Sequence, residues 1–224
     1  MGAQSMNRDA VIFCGGAQDL MGIEDTLCNA CDSALVICAD AGLRMAQMLG
    51  VSPDLAVGDF DSYTDALPQN IEILRVAAEK DDTDTMLAVR TALARGCRRI
   101  TLTGALGGRL DHTFANLQTL DFIVGQGAAG EILSPTERVR MLTPGAYRFE
   151  TLPGFSLSVF AYAGECADVT LTGVRYPLQN ALLTAGFPIG ISNEISADFA
   201  GISFSAGKLL VIRSKIPHQF PPAE

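Results

Sequence analysis

The sequence predicts an α/β domain, built on a mostly parallel sheet with flanking helices, followed by a smaller antiparallel β domain. Two observations carry this expectation. Up to about residue 134, short apolar runs alternate with helical stretches, the pattern of a parallel sheet covered by helices. From about residue 139 onward only strand and turn signals remain, with apolar and polar residues alternating at period two. The change of character falls near Ser134-Pro135-Thr136, which divides the chain into residues 1–136 and 137–224.

Taken in order, Ala10 to Phe13, Ala34 to Cys38, Leu55 to Val57, Ile71 to Val76, Ile100 to Leu102 and Glu131 to Leu133 read as strands, each a short apolar run of strand length. Helical stretches fall near residues 42–50, 84–95 and 112–124. The second of these has apolar residues at 86, 89, 92 and 93, Arg90 and Arg95 towards its end, and Gly96 as a stop, so it spans about three turns. Asp82 or Thr83 is its expected N-cap, and Asp84 falls in its first turn. In the second half, residues 155–162 and 168–172 alternate as strands, and residues 202–212 form two more about an Ala206-Gly207 turn. In an open parallel sheet ligands bind at the carboxyl ends of strands. Asp40, Asp59 and the loop from Gly104 all follow expected strands.

Composition allows this architecture and narrows the partners. A chain of 224 residues with 48% hydrophobic content can bury one or two cores, and no apolar run approaches the ~20 residues needed to span a membrane. Sixteen basic against 25 acidic residues give a net charge of −9, which argues against nucleic acid or an anionic membrane surface as partner. The opening Met-Gly-Ala-Gln-Ser-Met has neither the basic nor the apolar region of a signal peptide, and fails the myristoylation pattern at Met6, so a cytoplasmic location is expected. Of the six cysteines, Cys28 and Cys31 form a lone CxxC. Without a second ligand pair it reads as reduced thiols rather than a zinc or redox site.

Chemistry concentrates at strand ends. In Asp54-Leu-Ala-Val-Gly-Asp-Phe-Asp-Ser62, Asp59 and Asp61 arrive where a strand gives way to a loop. If the segment stays extended, both side chains project to one side, about 6.6 Å apart at their backbones for a rise of ~3.3 Å per residue. Two such oxygen donors suit one hard cation, magnesium with a phosphorylated substrate being the commonest case. An Asx-turn with solvated acids is the competing reading.

Lys80-Asp81-Asp82-Thr83-Asp84-Thr85 places acids and a lysine at a helix mouth, where backbone N–H groups point at an anion and Lys80 adds a point charge for phosphate. Gly104-Ala-Leu-Gly107-Gly108-Arg109-Leu-Asp111-His112 joins a strand to a helix. Its glycines let backbone approach a ligand, and Arg109 offers a planar fork to phosphate oxygens. It matches neither the P-loop nor the dinucleotide fingerprint. Asp111 and His112 read either as site groups or as a helix-start capping pair. His218 lies in a Pro-rich tail and has no expected role.

Together, Ala39-Asp40-Ala41-Gly42, Gly58-Asp59-Phe60-Asp61-Ser62, Lys80-Asp81-Asp82-Thr83-Asp84 and Gly107-Gly108-Arg109-Leu110-Asp111-His112 resemble the thiamine pyrophosphokinase (thiamine diphosphokinase) family in order and spacing. Pro53-Asp54 fits as well. Gly173-Val174-Arg175-Tyr176-Pro177-Leu178 and Ser192-Asn193-Glu194 extend the likeness, so that it covers about residues 10 to 213. Tyr176 departs from the family, many members of which place Trp there.

The resemblance implies an α/β domain at 1–136 binding ATP and magnesium, a β-sandwich domain at 137–224 for thiamine binding and dimerisation, and a homodimer with sites between subunits. The implied reaction moves a pyrophosphoryl group from ATP to the hydroxyethyl oxygen of thiamine, leaving AMP. By the family pattern Asp40, Asp59, Asp61 and Asp84 hold magnesium. Lys80, Thr83, Arg109, Gly107 and Gly108 go to the triphosphate, with Asp111, His112 and Asn116 orienting nucleotide or substrate. Tyr176, Leu178, Ser192 and Asn193 are then the thiamine side. An aromatic face gains ~0.5–2 kcal/mol from a cationic ring, although Tyr176 also reads as packing and Ser192-Asn193 as a turn.

Two other classes compete. A metal-dependent phosphohydrolase would use Asp59 as nucleophile, but its Asp-x-Asp motif normally follows the first strand and here follows the third. A non-catalytic nucleotide-binding module has no need for four acids around the glycine loop.

Overall fold

The computed structural model describes residues 8–16, 19–61, 63, 66–76 and 81–217. Contacts divide the chain into two compact units, Met1–Pro135 and Thr136–Glu224.

In the first unit the strands are β1 (Arg8–Phe13), β2 (Leu35–Ala39), β3 (Leu55–Gly58), β4 (Glu72–Arg75), β5 (Cys97–Thr103) and β6 (Ala129–Leu133), and the helices are α1 (Glu24–Cys31), α2 (Gly42–Met48), α3 (Asp84–Ala94) and α4 (Leu110–Gly125). The strands lie in the order β4-β3-β2-β1-β5-β6, and each neighbouring pair is parallel. The four residues of β3 and all five of β2 are buried, as expected for strands covered on both faces. Val11, Phe13, Val36, Cys38 and Ala56 form one face, packed with Leu27 of α1 and Leu43, Met45 and Ala46 of α2. Helix α3 packs across β1, β2, β3 and β5, and α4 packs on β6 and α3. Each fully buried Leu, Ile or Phe in this core contributes about 1.5–3 kcal/mol. The strand order reverses between β1 and β5, the switch point at which such sheets open a crevice.

Helix α1 is an element the sequence reading did not anticipate. It starts at Ile23 without a side-chain cap and carries two acids but no basic residue at its end, so the usual boundary signals are weak. Helix α3 follows the expectation, with Thr83 as N-cap accepting a hydrogen bond from the Met86 N–H at 3.1 Å.

The second unit contains β7 (Glu137–Leu142), β8 (Gly145–Glu150), β9 (Ser158–Ala161), β10 (Glu165–Thr172), β11 (Leu178–Thr184), β12 (Phe199–Phe204) and β13 (Leu209–Ser214). Strand β13 pairs antiparallel with β7 and β9, and the other layer runs β11-β10-β12-β8, also antiparallel. One core joins them, with Leu142, Val159, Leu209 and Val211 from the first layer against Phe149, Val169, Leu171, Ile202 and Phe204 from the second. The Ala206-Gly207 turn therefore does not close a hairpin. It passes the chain from one layer to the other, which alternation does not reveal, being the same in both strands whichever neighbour each pairs with.

The start of α2 shows how closely the first unit is built. A Cβ added at Gly42 would stand 2.0 Å from the Phe13 carbonyl oxygen at the end of β1, and backbone there cannot yield cheaply. Gly42→Ala is expected to destabilise the protein by ~1–3 kcal/mol, which lowers the thermal midpoint by about 2–4 °C for each kcal/mol. Differential scanning calorimetry checks this, and an unchanged midpoint would show that α2 has room to move.

Candidate active site

The acidic group forms where β2 and β3 end side by side. Asp40 directly follows β2, has φ of 45°, and donates its N–H to the Val57 carbonyl at 2.8 Å. Next to it β3 ends at Gly58, whose added Cβ would lie 3.2 Å from the Asp40 Cα and Cβ, so the absence of a side chain lets Asp40 sit against the strand. One carboxylate oxygen each from Asp40, Asp59 and Asp61 then lie within 4.8 Å of one another.

The route to this convergence differs from the expected one. Phe60 has φ of 61°, so the segment is not extended, and the Asp61 N–H donates to Asp59 Oδ1 at 3.1 Å. The Asx-turn and the clustered acids are thus the same feature. Phe60 and Tyr63 are both buried in the first unit's core, with the Arg75 guanidinium 5.6 Å from the Phe60 ring centre and Gln47 donating to the Tyr63 hydroxyl at 2.8 Å. Burial of the aromatics turns the loop, and the turn gathers the acids. Three carboxylates this close repel one another unless a cation joins them. Their hard oxygen donors fit magnesium or calcium rather than a soft metal. Asp84 is not in this group.

Asp40 also lines a cleft of about 580 Å³, whose walls come from the ends of β1, β2 and β5 and the starts of α3 and α4. Thr83, Asp84 and Thr85 line it at the mouth of α3, and Gly107, Gly108, Arg109, His112 and Asn116 at the mouth of α4. Helix N-termini carry partial positive charge and unpaired N–H groups, so both mouths favour an anion. Gly107 and Gly108 have φ of 80° and 71°, a conformation glycine adopts without strain. Buried Asn116 holds the loop by donating from Nδ2 to the Ala105 carbonyl at 2.7 Å. Lys80, expected to add a point charge, lies outside the described residues, as does His218.

Cys14, Gly15 and Gly16 line the same cleft and were not anticipated. They continue the pairing of β1 with β5, Cys14 N–H to the Thr103 carbonyl at 2.8 Å and Gly16 N–H to the Gly104 carbonyl at 2.9 Å. The signal was present in Val11-Ile-Phe-Cys-Gly-Gly16, an apolar run meeting two glycines as at residues 102–108. Burial pushes the Cys14 thiol up to about 12, so it stays neutral at physiological pH and adds no negative charge facing an anion. Burial, then the neighbouring Cys28, pushes the Cys31 thiol up to about 11.

At the lip, Arg109 closes its fork on Asp111, Nε to Oδ1 at 3.1 Å and Nη2 to Oδ2 at 2.5 Å. Asp111 also accepts the His112 N–H at 2.9 Å. The hydrogen bond from Arg109 holds the Asp111 carboxyl below its usual range, aided by the His112 amide, while Asp111 raises Arg109.

In the second unit Tyr176 is 59% exposed, with the Arg175 guanidinium 5.5 Å from its ring centre. Leu178 opens β11 and is half-buried. Ser192 is exposed, has φ of 56° and donates its N–H to Ser158 Oγ at 3.0 Å. Asn193 is 4% exposed. Its Oδ1 accepts from the Tyr176 and Glu194 N–H groups at 3.0 and 2.9 Å, and its Nδ2 donates to the Tyr176 carbonyl at 2.7 Å.

Comparison with known proteins gives matches in both units. Residues 28–126 match the family described as thiamin pyrophosphokinase, catalytic domain, and residues 150–209 that described as thiamin pyrophosphokinase, vitamin B1 binding domain. The thiamine pyrophosphokinase of Bacillus subtilis (strain 168) is 34% identical over 209 residues, covering 91% of this chain and 97% of that one. A crystal structure of the Bacillus subtilis thiamine pyrophosphokinase superposes with TM-score 0.85 at 30% identity, covering 94% of this chain and all of that chain. That of a thiamin pyrophosphokinase from Geobacillus thermodenitrificans gives 0.82 at 29% identity, covering 95% and 100%.

The Arg109–Asp111 pair generates a titration prediction. Because the folded-state pKa of Asp111 is depressed, the pair's contribution to stability is present above the ordinary Asp pKa and is lost as pH falls through the lowered value. Carbon-detected NMR titration of Asp111 is expected to give a lower midpoint in the wild type than in Arg109→Ala, with Arg109→Lys between them because a point charge lacks the fork. Equal midpoints in all three would mean that the pair does not persist in solution.

Proposed function

Because the chain belongs to the thiamine pyrophosphokinase family, we propose that it transfers a diphosphate group from ATP to thiamine, giving thiamine diphosphate and AMP, with the cleft of the first unit as the nucleotide site. The single observation that carries the residue assignment is that Asp40 belongs both to the three-carboxylate group and to the lining of a cleft faced by two helix N-termini. Anion-binding and cation-binding groups thus share one opening, which suits a metal-complexed polyphosphate.

The residues divide the work by their chemistry. Asp40, Asp59 and Asp61 would hold magnesium, with Asp84 facing the same cleft from the start of α3. When bound, the ion neutralises charge on the transferred and departing phosphate oxygens. The N–H groups at residues 107–108 and the mouths of α3 and α4 receive phosphate oxygens, with Lys80 and Arg109 adding charge. Asp111 fixes the arginine's approach by gripping its fork, His112 lines the cleft behind it, and Asn116 keeps the glycine loop in shape. The hydroxyethyl oxygen of thiamine attacks the β-phosphorus, the bond from that phosphorus to the oxygen shared with the α-phosphorus breaks, AMP leaves with that oxygen, and the hydroxyl proton passes to solvent. Little covalent chemistry falls to the protein, so positioning and fixed charge supply most of the catalysis.

Thiamine is assigned to the second unit, where Tyr176 offers an exposed ring at the position many relatives fill with Trp, beside Leu178 and Ser192. Leu182, Phe187, Ile189 and Ile191 are each more than half exposed there, an apolar surface that supports a homodimer with sites shared between subunits. No helix among the described residues is long and apolar enough to cross a membrane, which is compatible with the cytoplasmic location included in this proposal. The phosphohydrolase reading is weaker, because Asp59 follows the third strand rather than the first.

Product identity tests the proposal. With ATP, magnesium and thiamine, chromatography is expected to show AMP and thiamine diphosphate in equal amounts, none after chelation, and at least ~100-fold less with Asp59→Asn at an unchanged thermal midpoint. Orthophosphate as the product, independent of thiamine, would establish the hydrolase instead.

A further inference from the structure

We propose that Asn193 is a positioning residue that fixes the Tyr176 platform, and that it does not itself touch thiamine; this rests on the reading of Tyr176 as the surface on which the substrate ring stacks. Asn193 stands in the middle of a stapled pair of loops. Its own backbone exchanges two hydrogen bonds with Leu157, at 2.8 and 3.0 Å, which ties it to the chain entering β9. Its side chain then reaches across to residue 176 and engages both backbone polar groups of that residue, the N–H through Oδ1 and the carbonyl through Nδ2.

The chemistry of the amide fixes which end points where. Oδ1 faces two N–H donors and Nδ2 faces a carbonyl oxygen, so the reverse orientation would set donors against donors. With two bonds accepted, the lone pairs of Oδ1 are in use, and Nδ2 gives one N–H to the Tyr176 carbonyl, so a side chain only 4% exposed keeps at most one N–H for any other partner. Asn193 is thereby separated from its neighbour Ser192, which is exposed and remains a candidate contact.

What the amide holds is a residue that core packing supports little. Tyr176 is 59% exposed, so core packing does not determine where its ring sits. The rest of the staple lies on either side: Arg175 N–H donates to the Glu194 carbonyl at 2.9 Å, Ser196 N–H donates to the Gly173 carbonyl at 2.9 Å, and the Arg175 and Glu194 side chains approach to 3.6 Å. These bonds flank residue 176 without engaging it. The Asn193 amide closes on both of its backbone groups, leaving the ring to turn about its side-chain torsions alone.

The chain contains no tryptophan, so Tyr176→Trp creates a single fluorescent reporter at the platform. In that background Asn193→Ala is expected to lower the anisotropy of the reporter and shift its emission to the red. Asn193→Asp keeps both accepted bonds but sets a carboxylate oxygen against the Tyr176 carbonyl. It is expected to give the same changes in smaller measure, and it serves if the alanine variant does not fold. In the otherwise native chain, either substitution is expected to raise the KM for thiamine, roughly tenfold for alanine, which removes all three side-chain hydrogen bonds, and to leave the KM for ATP in place. Combined with Tyr176→Ala, the Asn193 substitutions are expected to add no further rise. Unchanged anisotropy together with additive rises in the thiamine KM would overturn the proposal and make Asn193 a direct contact. Should Tyr176→Ala alone leave the thiamine KM at its wild-type value, the platform reading fails, while the anisotropy still reports whether Asn193 holds residue 176.

Discussion

Backbone-to-backbone contact at the carboxyl ends of the first unit's strands is the constraint from which the candidate site follows. An added Cβ at Gly16 would meet the Gly104 carbonyl oxygen at 2.3 Å, one at Gly104 the Cys14 carbonyl oxygen at 2.7 Å, and one at Gly42 the Phe13 carbonyl oxygen at 2.0 Å. The three glycines thus let these segments approach backbone to backbone, with the Met45 side chain also packed against Gly104. This closeness lets the loop after β1 go on pairing with the loop after β5, brings the start of α2 against the end of β1, and leaves Asp40 at the edge of a cleft to which Gly15, Gly16, Gly104, Gly107 and Gly108 contribute. Backbone N–H groups are neutral donors that keep their direction without side-chain ordering, which is what a polyphosphate site needs from its floor.

Charge sets the second condition. The chain is acidic overall, at −9; Asp40 and Asp84 line the cleft proposed for a polyanion, and Asp59 and Asp61 cluster with Asp40. Under the proposed function a cation would have to join the two, since like charges brought together in a partly dehydrated cleft repel strongly. The remaining positive character is supplied by the mouths of α3 and α4 and by Arg109, whose fork is already gripped by Asp111. A neutral Cys14 thiol at the same wall avoids adding to the repulsion. On the proposed reading, nucleotide affinity would depend on the metal, and the metal on Asp40 at the end of β2 together with the loop pinned by Phe60 and Tyr63.

Much of this was legible in the sequence, though not always for the reason given by pattern. Asp59 and Asp61 stand out by spacing, yet they converge through a left-handed Phe60 and an Asx-turn, and the third member, Asp40, arrives from a neighbouring strand. Spacing within one segment carries no information about a contact made across a sheet. Gly107, Gly108 and Arg109 were readable because a strand, glycines and a helix follow one another. Gly15 and Gly16 show the same succession but precede a weakly marked helix, α1, which hid their significance. In the second unit the alternation of β12 and β13 revealed two strands and concealed that they belong to different layers. The side-chain bonds of Asn193 to Tyr176, 17 positions away, are a tertiary contact that no local pattern encodes. The family resemblance supplied those residues, and the structure distinguishes the exposed ones from the buried one.

The account stands on the acidic group holding a divalent ion in the same opening as the nucleotide. Electron paramagnetic resonance of Mn²⁺, used as a magnetic substitute for magnesium, measures this directly when titrated with and without a non-hydrolysable ATP analogue. The account predicts that the analogue tightens ion binding to the wild type, that Asp40→Asn weakens the ion in both titrations, and that the tightening by the analogue is lost with it. Ion binding indifferent to Asp40→Asn, or equal with and without the analogue, would contradict the shared opening and with it the division of roles drawn from the fold.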